Sequence, residues 1–399
     1  MKSLRILQLA TSTNGGAGIA ARRLHEALIE NQIDSTLLTL TKNSHSRSTF
    51  EIKRSPYNKL TSSIFTFLQS SLIQSSDQLL TPLSKNTFSG QNVVLDEYQI
   101  VHIHAYYNLL STSEIIDLCQ KYPQKLFFIT LHDERFLTGG CHYSNCCKNI
   151  ELGCRDCPQA TRLGKYFVRQ EYSEKLAKLN GLENLQLISP SNWLQTLARN
   201  NPATKELRAH VVRNPVPQVF FDVPRLATHE DKLRILFISA HLNTRMKGLT
   251  TLISALNLIA ERGFSDQFEV LFVGHGQVPD FIDPRITFKT AVTSTDEETA
   301  NVFSQCQVLA LPSIQDNLPS TMTEAICAGL SVVGTKTGGI DEVLTAYEQP
   351  TVIVDDAIGL ATELLSLLKF RSTPSRSKAI DEFSYSAVAK SMIQIYETA

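Results

Sequence analysis

The sequence predicts an α/β protein made of two doubly wound domains. Two series of short apolar strands alternate with helices, which is typical of parallel sheets covered on both faces. A glycine-rich turn, Asn14 to Gly18, follows the first strand and opens a helix. A proline-containing break at 214–217 separates the two series. With 399 residues, the chain is long enough for two domains of roughly 200 residues each.

The first series begins with an apolar strand and an amphipathic helix, whose apolar stripe includes Leu24 and Leu28. The predicted strands are 4–10, 35–40, 99–104, 126–131, 185–189 and 210–213, and the predicted helices are 17–30, 111–121, 170–179 and one starting at Asn192. Residues 44–92 are rich in Ser, Thr and Gln. The spacing of Leu60, Ile64 and Phe67 there predicts a helical insertion, which either contacts an acceptor or membrane or packs on the domain.

The second series repeats the pattern. Its predicted strands are 233–239, 268–273, 307–311, 331–335 and 351–354, and its predicted helices are 248–262, 357–369 and 381–397. We therefore predict domains at 1–213 and 214–380 that face each other across a cleft. The last helix, 381–399, is expected to pack back toward the first domain.

The composition is that of a soluble globular protein, with 42% hydrophobic and 19% charged residues. Apolar runs stay below the roughly 18–20 residues of a membrane span, and the apolar N-terminal run is too short for a signal peptide. A cytoplasmic protein is the resulting expectation. Residues 1–200 carry 21 Lys and Arg against 16 Asp and Glu. That excess fits an anionic acceptor or the inner membrane face, and equally an ordinary scatter of charge. No nucleic-acid partner is expected.

The stretch 312–329 carries the strongest functional signal. Asp316 lies eight residues before Glu324 in a segment that ends at a glycine, and Gly338 and Gly339 follow after the next strand. Carboxylates beside glycine-opened backbone N–H groups can hold sugar hydroxyls and phosphates together. The alternatives are structural, because Thr321 and Glu324 also fit a capping box and Asp316 fits a turn.

Other candidates lie where strands end. Arg245 and Lys247 follow the first strand of the second series and could neutralise a diphosphate, although such cations are common in loops. Gly16, between Gly15 and Gly18, could admit a phosphate to a helix N-terminus or serve only a tight turn. His132 follows the strand 126–131 at its carboxyl end, where α/β proteins bind ligands, but a lone histidine is often structural.

Five of the eight cysteines fall between 141 and 157. Cys154 and Cys157 have the spacing of half a tetrahedral zinc site, and Cys141 with Cys146 or Cys147 could complete it. Disulfides or free thiols are the alternative. Four thiolates would leave no open coordination position, so the expected zinc is structural and no catalytic metal is expected.

Together these pieces resemble the retaining glycosyltransferases of family 4, which have the GT-B fold of two Rossmann-like domains. The matching segments are GGAGIAARRLHEAL (15–28), TLHDERFLTGGCHYSNCC (130–147), GCRDCPQ (153–159), SPSNWL (189–194), RMKG (245–248), VGHG (273–276) and PSIQDNLPSTMTEAICAGLSVVGTKTGGIDEV (312–343). The DNLP form and the cysteine segments resemble a subgroup of bacterial surface-polysaccharide assembly.

The resemblance implies a role for each matched residue. Glu324 would bind the ribose, Asp316 and His132 the transferred sugar, and Arg245 and Lys247 the diphosphate. Backbone at Gly16, Gly274, Gly338 and Gly339 would meet phosphate or sugar, and Cys147 would join Cys141, Cys154 and Cys157 around zinc. The family usually has Glu where this chain has Asp316.

These roles predict transfer of a hexose, with retention, from a nucleoside diphosphate sugar to a glycan or lipid-linked acceptor. Peripheral contact with the cytoplasmic membrane face belongs to the same expectation. Two alternatives remain: a non-catalytic nucleotide-sugar-binding subunit and a nicotinamide-dependent oxidoreductase. The oxidoreductase alternative is weakened because residues 15–18 do not have the GxGxxG spacing of a dinucleotide site.

Overall fold

The computed structural model describes residues 4–41, 48–52, 65–74, 79–83, 95–144, 147–224 and 232–399. The chain divides into two units: Met1–Asn214 with Val388–Ala399, and Pro215–Ala387. Each unit is built on its own sheet, and every pairing between the named strands is parallel. The predicted fold class, two doubly wound α/β domains, is confirmed.

The first unit has a seven-stranded sheet in the order β3-β2-β1-β4-β5-β6-β7. Its strands are β1 (Arg5–Ser12), β2 (Asp34–Thr41), β3 (Thr49–Glu51), β4 (Ile100–Ile103), β5 (Leu126–Thr130), β6 (Leu185–Ser189) and β7 (Arg208–Val211). Its helices are α1 (Gly15–Glu30), α2 (Thr112–Lys121), α3 (Arg162–Lys178) and α4 (Asn192–Asn200). The inner strands β4, β5 and β6 are mostly apolar and almost entirely buried, as expected for strands covered on both faces.

The second unit has a six-stranded sheet in the order β10-β9-β8-β11-β12-β13. Its strands are β8 (Leu233–His241), β9 (Phe268–His275), β10 (Thr287–Ala291), β11 (Val308–Leu311), β12 (Ser331–Thr335) and β13 (Thr351–Val352). Its helices are α5 (Gln218–Phe221), α6 (Leu249–Glu261), α7 (Asp296–Phe303), α8 (Ser320–Ala328), α9 (Gly338–Ala346), α10 (Ala357–Ser366) and α11 (Arg376–Phe383). In both sheets the order reverses beside the first strand of the unit, which creates a topological switch point.

The last helix, α12 (Tyr385–Thr398), starts in the second unit, and its residues from Val388 onward belong with the first. Near its end, the Tyr396 hydroxyl lies 2.6 Å from Nδ1 of His102 in β4. The sequence predicted one helix over 381–397, which is wrong. Ser384 adopts an extended conformation after α11, and its hydroxyl accepts the N–H of Ala387, so it caps a new helix.

Two further predictions need correction. The region 44–92 contributes a strand, β3, which pairs with β2, as well as helical residues 65–71. Leu60 and Ile64, on which the helical prediction also rested, lie outside the described residues, and Phe67 is exposed rather than packed. Helix α3 starts at Arg162, eight residues earlier than predicted, because the Thr161 hydroxyl caps it by accepting the Gly164 N–H. Among the described residues, no helix is long and apolar enough to cross a membrane.

Candidate functional site

The switch point of the second unit lies between β8 and β11, which pair in parallel. Because both strands end at the same edge of the sheet, the loops that follow them are neighbours. The loop after β8 carries Arg245 and Lys247, and the loop after β11 carries Asp316. The fold therefore brings together two segments that are 69 residues apart in the sequence.

Lys247 and Asp316 form an ion pair at this edge. Lys247 Nζ donates to Asp316 Oδ2 at 2.5 Å, and the two side chains are 26% and 11% exposed. A charge-assisted hydrogen bond with so little solvent around it holds both side chains in place. Arg245 lies two residues before Lys247 in the same 3₁₀ turn and is exposed. The edge thus presents one paired cation, one exposed cation and one largely buried carboxylate.

Two glycines let the loops approach closely. Gly248 has a φ of 72°, and a Cβ there would lie 1.8 Å from the Pro312 carbonyl oxygen. Gly338 has a φ of 54°, and a Cβ there would lie 1.8 Å from the Asp316 carbonyl oxygen. Any other side chain would collide with backbone at either position. The close contact at Gly338 therefore joins the start of α9 to the loop that carries Asp316.

Hydrogen bonds fix the same loops. The Ile314 N–H donates to the Met246 carbonyl at 2.8 Å, which ties the Asp316 loop to the Lys247 turn. The Thr335 hydroxyl donates to the Ser313 carbonyl at 2.5 Å, which ties that loop to the end of β12. A loop held at both sides presents its carboxylate in one position.

Glu324 lies in α8 and is only 4% exposed. The helix begins at Ser320 with Pro319 at its N-cap position, so Thr321 lies inside the first turn. The alternative that Thr321 and Glu324 form a capping box is therefore wrong. A carboxylate is almost never fully buried unless it is paired, so burial alone does not assign Glu324 a ligand, and its binding role stays a prediction.

The remaining glycine candidates also lie at this edge. Gly274, the second-last residue of strand β9, has a φ of 145°, and a Cβ there would lie 1.9 Å from the Ser239 carbonyl oxygen. Gly339 is buried in the first turn of α9. Seven of the predicted ligand residues therefore lie in the second unit: Arg245, Lys247, Gly274, Asp316, Glu324, Gly338 and Gly339.

Gly16 and His132 belong to the first unit. In the β1–α1 turn, glycine is favoured at Gly15, which has a φ of 71°, and is required at Gly18, where a Cβ would lie 2.5 Å from the Ser12 carbonyl oxygen. An added Cβ at Gly16 would meet no described atom within 4 Å. The turn thus depends on its outer glycines, while Gly16 leaves open space at the helix N-terminus.

His132 follows β5 and belongs to a buried polar cluster that the sequence did not predict. Its Nε2 lies 3.1 Å from Nδ1 of His104, whose Nε2 lies 2.9 Å from the Gln8 amide oxygen. The ring of His104 stacks on that of His102 with centroids 4.4 Å apart. Burial lowers the pKa of His102 to about 3 and that of His132 to about 4, because imidazolium loses its hydration there. These imidazoles are therefore neutral at physiological pH.

Asp133, the residue after His132, is held by two hydrogen bonds. Its Oδ2 accepts a hydrogen bond from His142 Nδ1 at 2.7 Å, and its Oδ1 accepts the Arg135 N–H at 2.8 Å. Burial raises the pKa of Asp133, but His142 and Arg135 outweigh it, so the pKa is lowered overall. A cavity is lined here by His104, Tyr106, Tyr107, His132, Asp133 and Arg135. Its lining combines neutral imidazoles, aromatic rings, an ionised carboxylate and a guanidinium.

The cysteine loop gives a mixed result. Cys141, Cys154 and Cys157 pack in one buried cluster, and Cys147 lies close enough to raise the pKa of both Cys154 and Cys157 further beyond the effect of burial. Cys141 donates to the Tyr143 carbonyl at 2.8 Å. Within the described part of the chain, no group of three or more Cys, His, Asp or Glu side chains is arranged to hold a metal. Cys146 lies outside it, and the zinc site stays a prediction.

Comparison with known proteins finds a family match within the second unit. Residues 232–369 match the family described as "Glycosyl transferases group 1". The chain is 21% identical over 280 residues to the putative colanic acid biosynthesis glycosyl transferase WcaC of Escherichia coli K12. That alignment covers 65% of this chain and 65% of WcaC, slightly less than two thirds of the relative's length.

Two solved structures share the fold over nearly the full length. Sucrose-phosphate synthase from Thermosynechococcus elongatus superposes with a TM-score of 0.66 at 16% identity, covering 99% of this chain and 98% of that one. HepE from Anabaena, solved in complex with UDP-glucose, superposes with a TM-score of 0.61 at 13% identity, covering 99% and 100%. The overall fold is therefore that of GT-B glycosyltransferases.

Proposed function

Because residues 232–369 match the group 1 glycosyltransferases, we propose that this protein transfers a hexose from a nucleoside diphosphate sugar to a hydroxyl group. The acceptor is a glycan or a lipid-linked glycan in cell-surface polysaccharide biosynthesis, and the anomeric configuration is retained. The relationship to WcaC supports the polysaccharide pathway, and the HepE complex supports a nucleotide-sugar donor.

One observation carries the proposal. Lys247 is fixed by Asp316 at the switch point of the second sheet, beside the N-terminus of α9. A cation and helix N–H groups at such a point form an anion site, and a carboxylate next to them can accept sugar hydroxyls. A nucleoside diphosphate sugar has both groups in one molecule, with the diphosphate adjoining the sugar.

In the proposed mechanism, the bond between the anomeric carbon and the diphosphate breaks first. Negative charge then develops on the leaving diphosphate, where Lys247, Arg245 and the N–H groups of α9 stabilise it. These groups are in place before the reaction, so little reorganisation is needed as the charge appears. Lys247 is already paired with Asp316, which positions its ammonium group for the diphosphate.

The sugar and ribose are held by the carboxylates. We assign Glu324 to the ribose hydroxyls, and Asp316 and His132 to hydroxyls of the transferred sugar. The acceptor hydroxyl approaches on the face that the diphosphate leaves, and a phosphate oxygen takes its proton, which gives retention. Gly16, Gly274, Gly338 and Gly339 contribute backbone N–H groups or space for the donor.

A thermal-shift screen with UDP, GDP, ADP, CMP, their common sugar conjugates and NAD(P) is the first test. A ligand that binds only the folded protein raises the unfolding midpoint, so one nucleoside diphosphate should do so. A response to NAD(P) alone would support an oxidoreductase instead. With the donor known, Lys247→Ala and Glu324→Ala should each reduce sugar transfer to a glycan acceptor. Tight nucleotide binding without transfer to any acceptor would identify a binding subunit.

A further inference from the structure

Five polar side chains, four of them buried, form a continuous hydrogen-bonded chain through the first unit. His25 of α1 contacts Ser35 of β2 at 2.9 Å, and Gln8 of β1 donates to the same Ser35 hydroxyl at 2.9 Å. Gln8 then contacts His104 at 2.9 Å, and His104 contacts His132 at 3.1 Å. The first four are at most 2% exposed. The chain therefore runs from a helix across the sheet to its carboxyl edge, where His132 lines the cavity.

The chemistry of these groups fixes where the protons lie. The Gln8 amide nitrogen is directed at Ser35, so its oxygen faces His104 and can only accept. His104 must therefore carry its proton on Nε2. Burial holds the pKa of His104 well below its usual value, and the neighbouring imidazoles lower it further, so the ring is neutral and its Nδ1 is an acceptor. The partner of that Nδ1 is Nε2 of His132, which must donate.

We propose that His104, oriented by Gln8, is a positioning residue that holds His132 in the Nε2–H tautomer. The Nδ1 atom of His132 is then a hydrogen-bond acceptor for a hydroxyl of the bound sugar. This step rests on the proposed function, since it assigns His132 a sugar ligand. The tautomer itself does not depend on that function.

The burial of this hydrogen-bonded series of side chains, from His25 to His132, needs a physical reason. Polar groups in a core cost free energy unless every one is hydrogen-bonded, and apolar residues would fill the same volume without that cost. Ile100, Val101 and Ile103 show that β4 otherwise has the apolar residues of a buried strand. A fully bonded chain that ends at a cavity fixes the tautomer and ring orientation of its last member, as partners of histidine do elsewhere.

The tautomer can be measured directly. In protein labelled with ¹⁵N-histidine, long-range ¹H–¹⁵N correlation spectra distinguish protonated from unprotonated ring nitrogens, and the spectrum of His132→Gln identifies the His132 signals. We expect protonated Nε2 and unprotonated Nδ1 for both His104 and His132 at pH 7.5. With UDP-glucose as the probe, the Nδ1 signal of His132 should shift as a hydroxyl donates to it. A protonated Nδ1 on His132 would mean that the chain has the opposite polarity and would overturn the proposal.

Two polar variants of His104 separate positioning from packing. In His104→Asn, the side-chain oxygen replaces Nδ1 and keeps the contact with His132. In His104→Gln, the amide reaches toward Gln8 and the contact with His132 is lost. We expect His104→Asn to keep the His132 tautomer and kcat/KM for UDP-glucose turnover within about 3-fold. His104→Gln should mix the tautomers and lower kcat/KM about 10-fold, the size of one hydrogen bond.

The outcomes distinguish the positioning role of His104 from the proposed transferase function. Equal tautomer populations and equal kcat/KM in both variants, with unfolding midpoints like that of the wild type, would refute the positioning role. If the wild type neither binds nor turns over any nucleotide sugar, the proposed function fails, while the spectra still decide the polarity of the chain. An unchanged Nδ1 signal in a protein saturated with UDP-glucose would refute the sugar contact alone.

Discussion

Replacing Lys247 by Met should weaken nucleotide binding and lower stability for two separable reasons. In the wild type, Lys247 neutralises Asp316, whose side chain is 11% exposed. Removing the ammonium leaves a largely buried carboxylate without its cation, which costs about 2 kcal/mol. A loss of about 2 kcal/mol corresponds to a midpoint roughly 4–8 °C lower for a unit of this size. The ligand-free variant should therefore unfold at a measurably lower temperature.

The effect on binding follows from the lost contact with the diphosphate. One charge-assisted hydrogen bond contributes about 2 kcal/mol, so the Kd for UDP should rise about 30-fold. At a UDP concentration of about 100 times the wild-type Kd, the ligand stabilises the wild type by about 2.7 kcal/mol. With a Kd about 30-fold higher, the same concentration stabilises the variant by only about 0.9 kcal/mol. Differential scanning fluorimetry with and without UDP resolves this difference.

A double variant and a control separate the two effects. Lys247→Met combined with Asp316→Asn removes the stranded charge, so stability should recover while the response to UDP stays small. Lys289→Met breaks another lysine–carboxylate pair of the same unit, between the exposed Lys289 of the edge strand β10 and Glu269 of β9, and should change neither property appreciably. A UDP response in Lys247→Met as large as that of the wild type would refute the assignment of Lys247 to the diphosphate. The same test can be run with GDP if GDP is the nucleotide that binds.

Three further predictions concern other parts of the chain. The imidazoles of His102, His104 and His132 have lowered pKa values, so as the pH falls the unfolded chain binds protons before the folded protein does. The free energy of unfolding should therefore be greatest above about pH 6.5 and fall by about 1 kcal/mol per imidazole from pH 6 to pH 5. Urea unfolding at each pH measures this slope, and His102→Gln should lower it by about one third because two of the three imidazoles remain. A pH-independent stability would contradict the prediction. Gly338→Ala should lower both stability and UDP binding, because Gly338 has a positive φ and a Cβ there would collide with the Asp316 carbonyl oxygen. Gly181→Ala is the control, since its Cβ would meet no described atom, and equal unfolding midpoints for the two variants would refute the packing argument. The predicted zinc site requires about one zinc per chain by elemental analysis, lost in Cys154→Ser and kept in Cys119→Ser; metal-free protein from zinc-supplemented cells would refute it.

The fold was readable from the sequence because parallel strands buried on both faces leave a simple signal. Strands such as 126–131 and 331–335 are short apolar runs between helices, and the structure places them within a residue or two. Strand β10 and helix α7 were missed. The strand is an edge strand whose residues are mostly exposed, so Thr and Lys replace the apolar run. The α7 helix is short, and a capping box at Thr295 was its clearest sequence signal.

The candidate site was predicted only in part. Its residues in the second unit follow strand ends, so their type and position were enough to select Lys247 and Asp316. The sequence could not show that the two side chains bond to each other, because that depends on the β8–β11 pairing. The chain from His25 to His132 was missed for the same reason. Its members come from four strands or strand ends and one helix, and Gln8 and Ser35 have no unusual sequence context.

The Lys247–Asp316 pair explains how a substitution that shortens a carboxylate can be tolerated. Aspartate is one methylene shorter than the glutamate usual in the glycosyltransferases that the sequence resembles, so its carboxylate remains closer to the backbone of its own loop. Here that loop is joined to the Lys247 turn by the Ile314 N–H, which brings the cation to the shorter side chain. Asp316→Glu should then push the carboxylate toward the sugar and strain the pair. We expect a lower unfolding midpoint and a changed preference among UDP-sugars, measured as the ratio of kcat/KM values for UDP-glucose and UDP-galactose. An unchanged ratio would show that Asp316 orients Lys247 without touching the sugar.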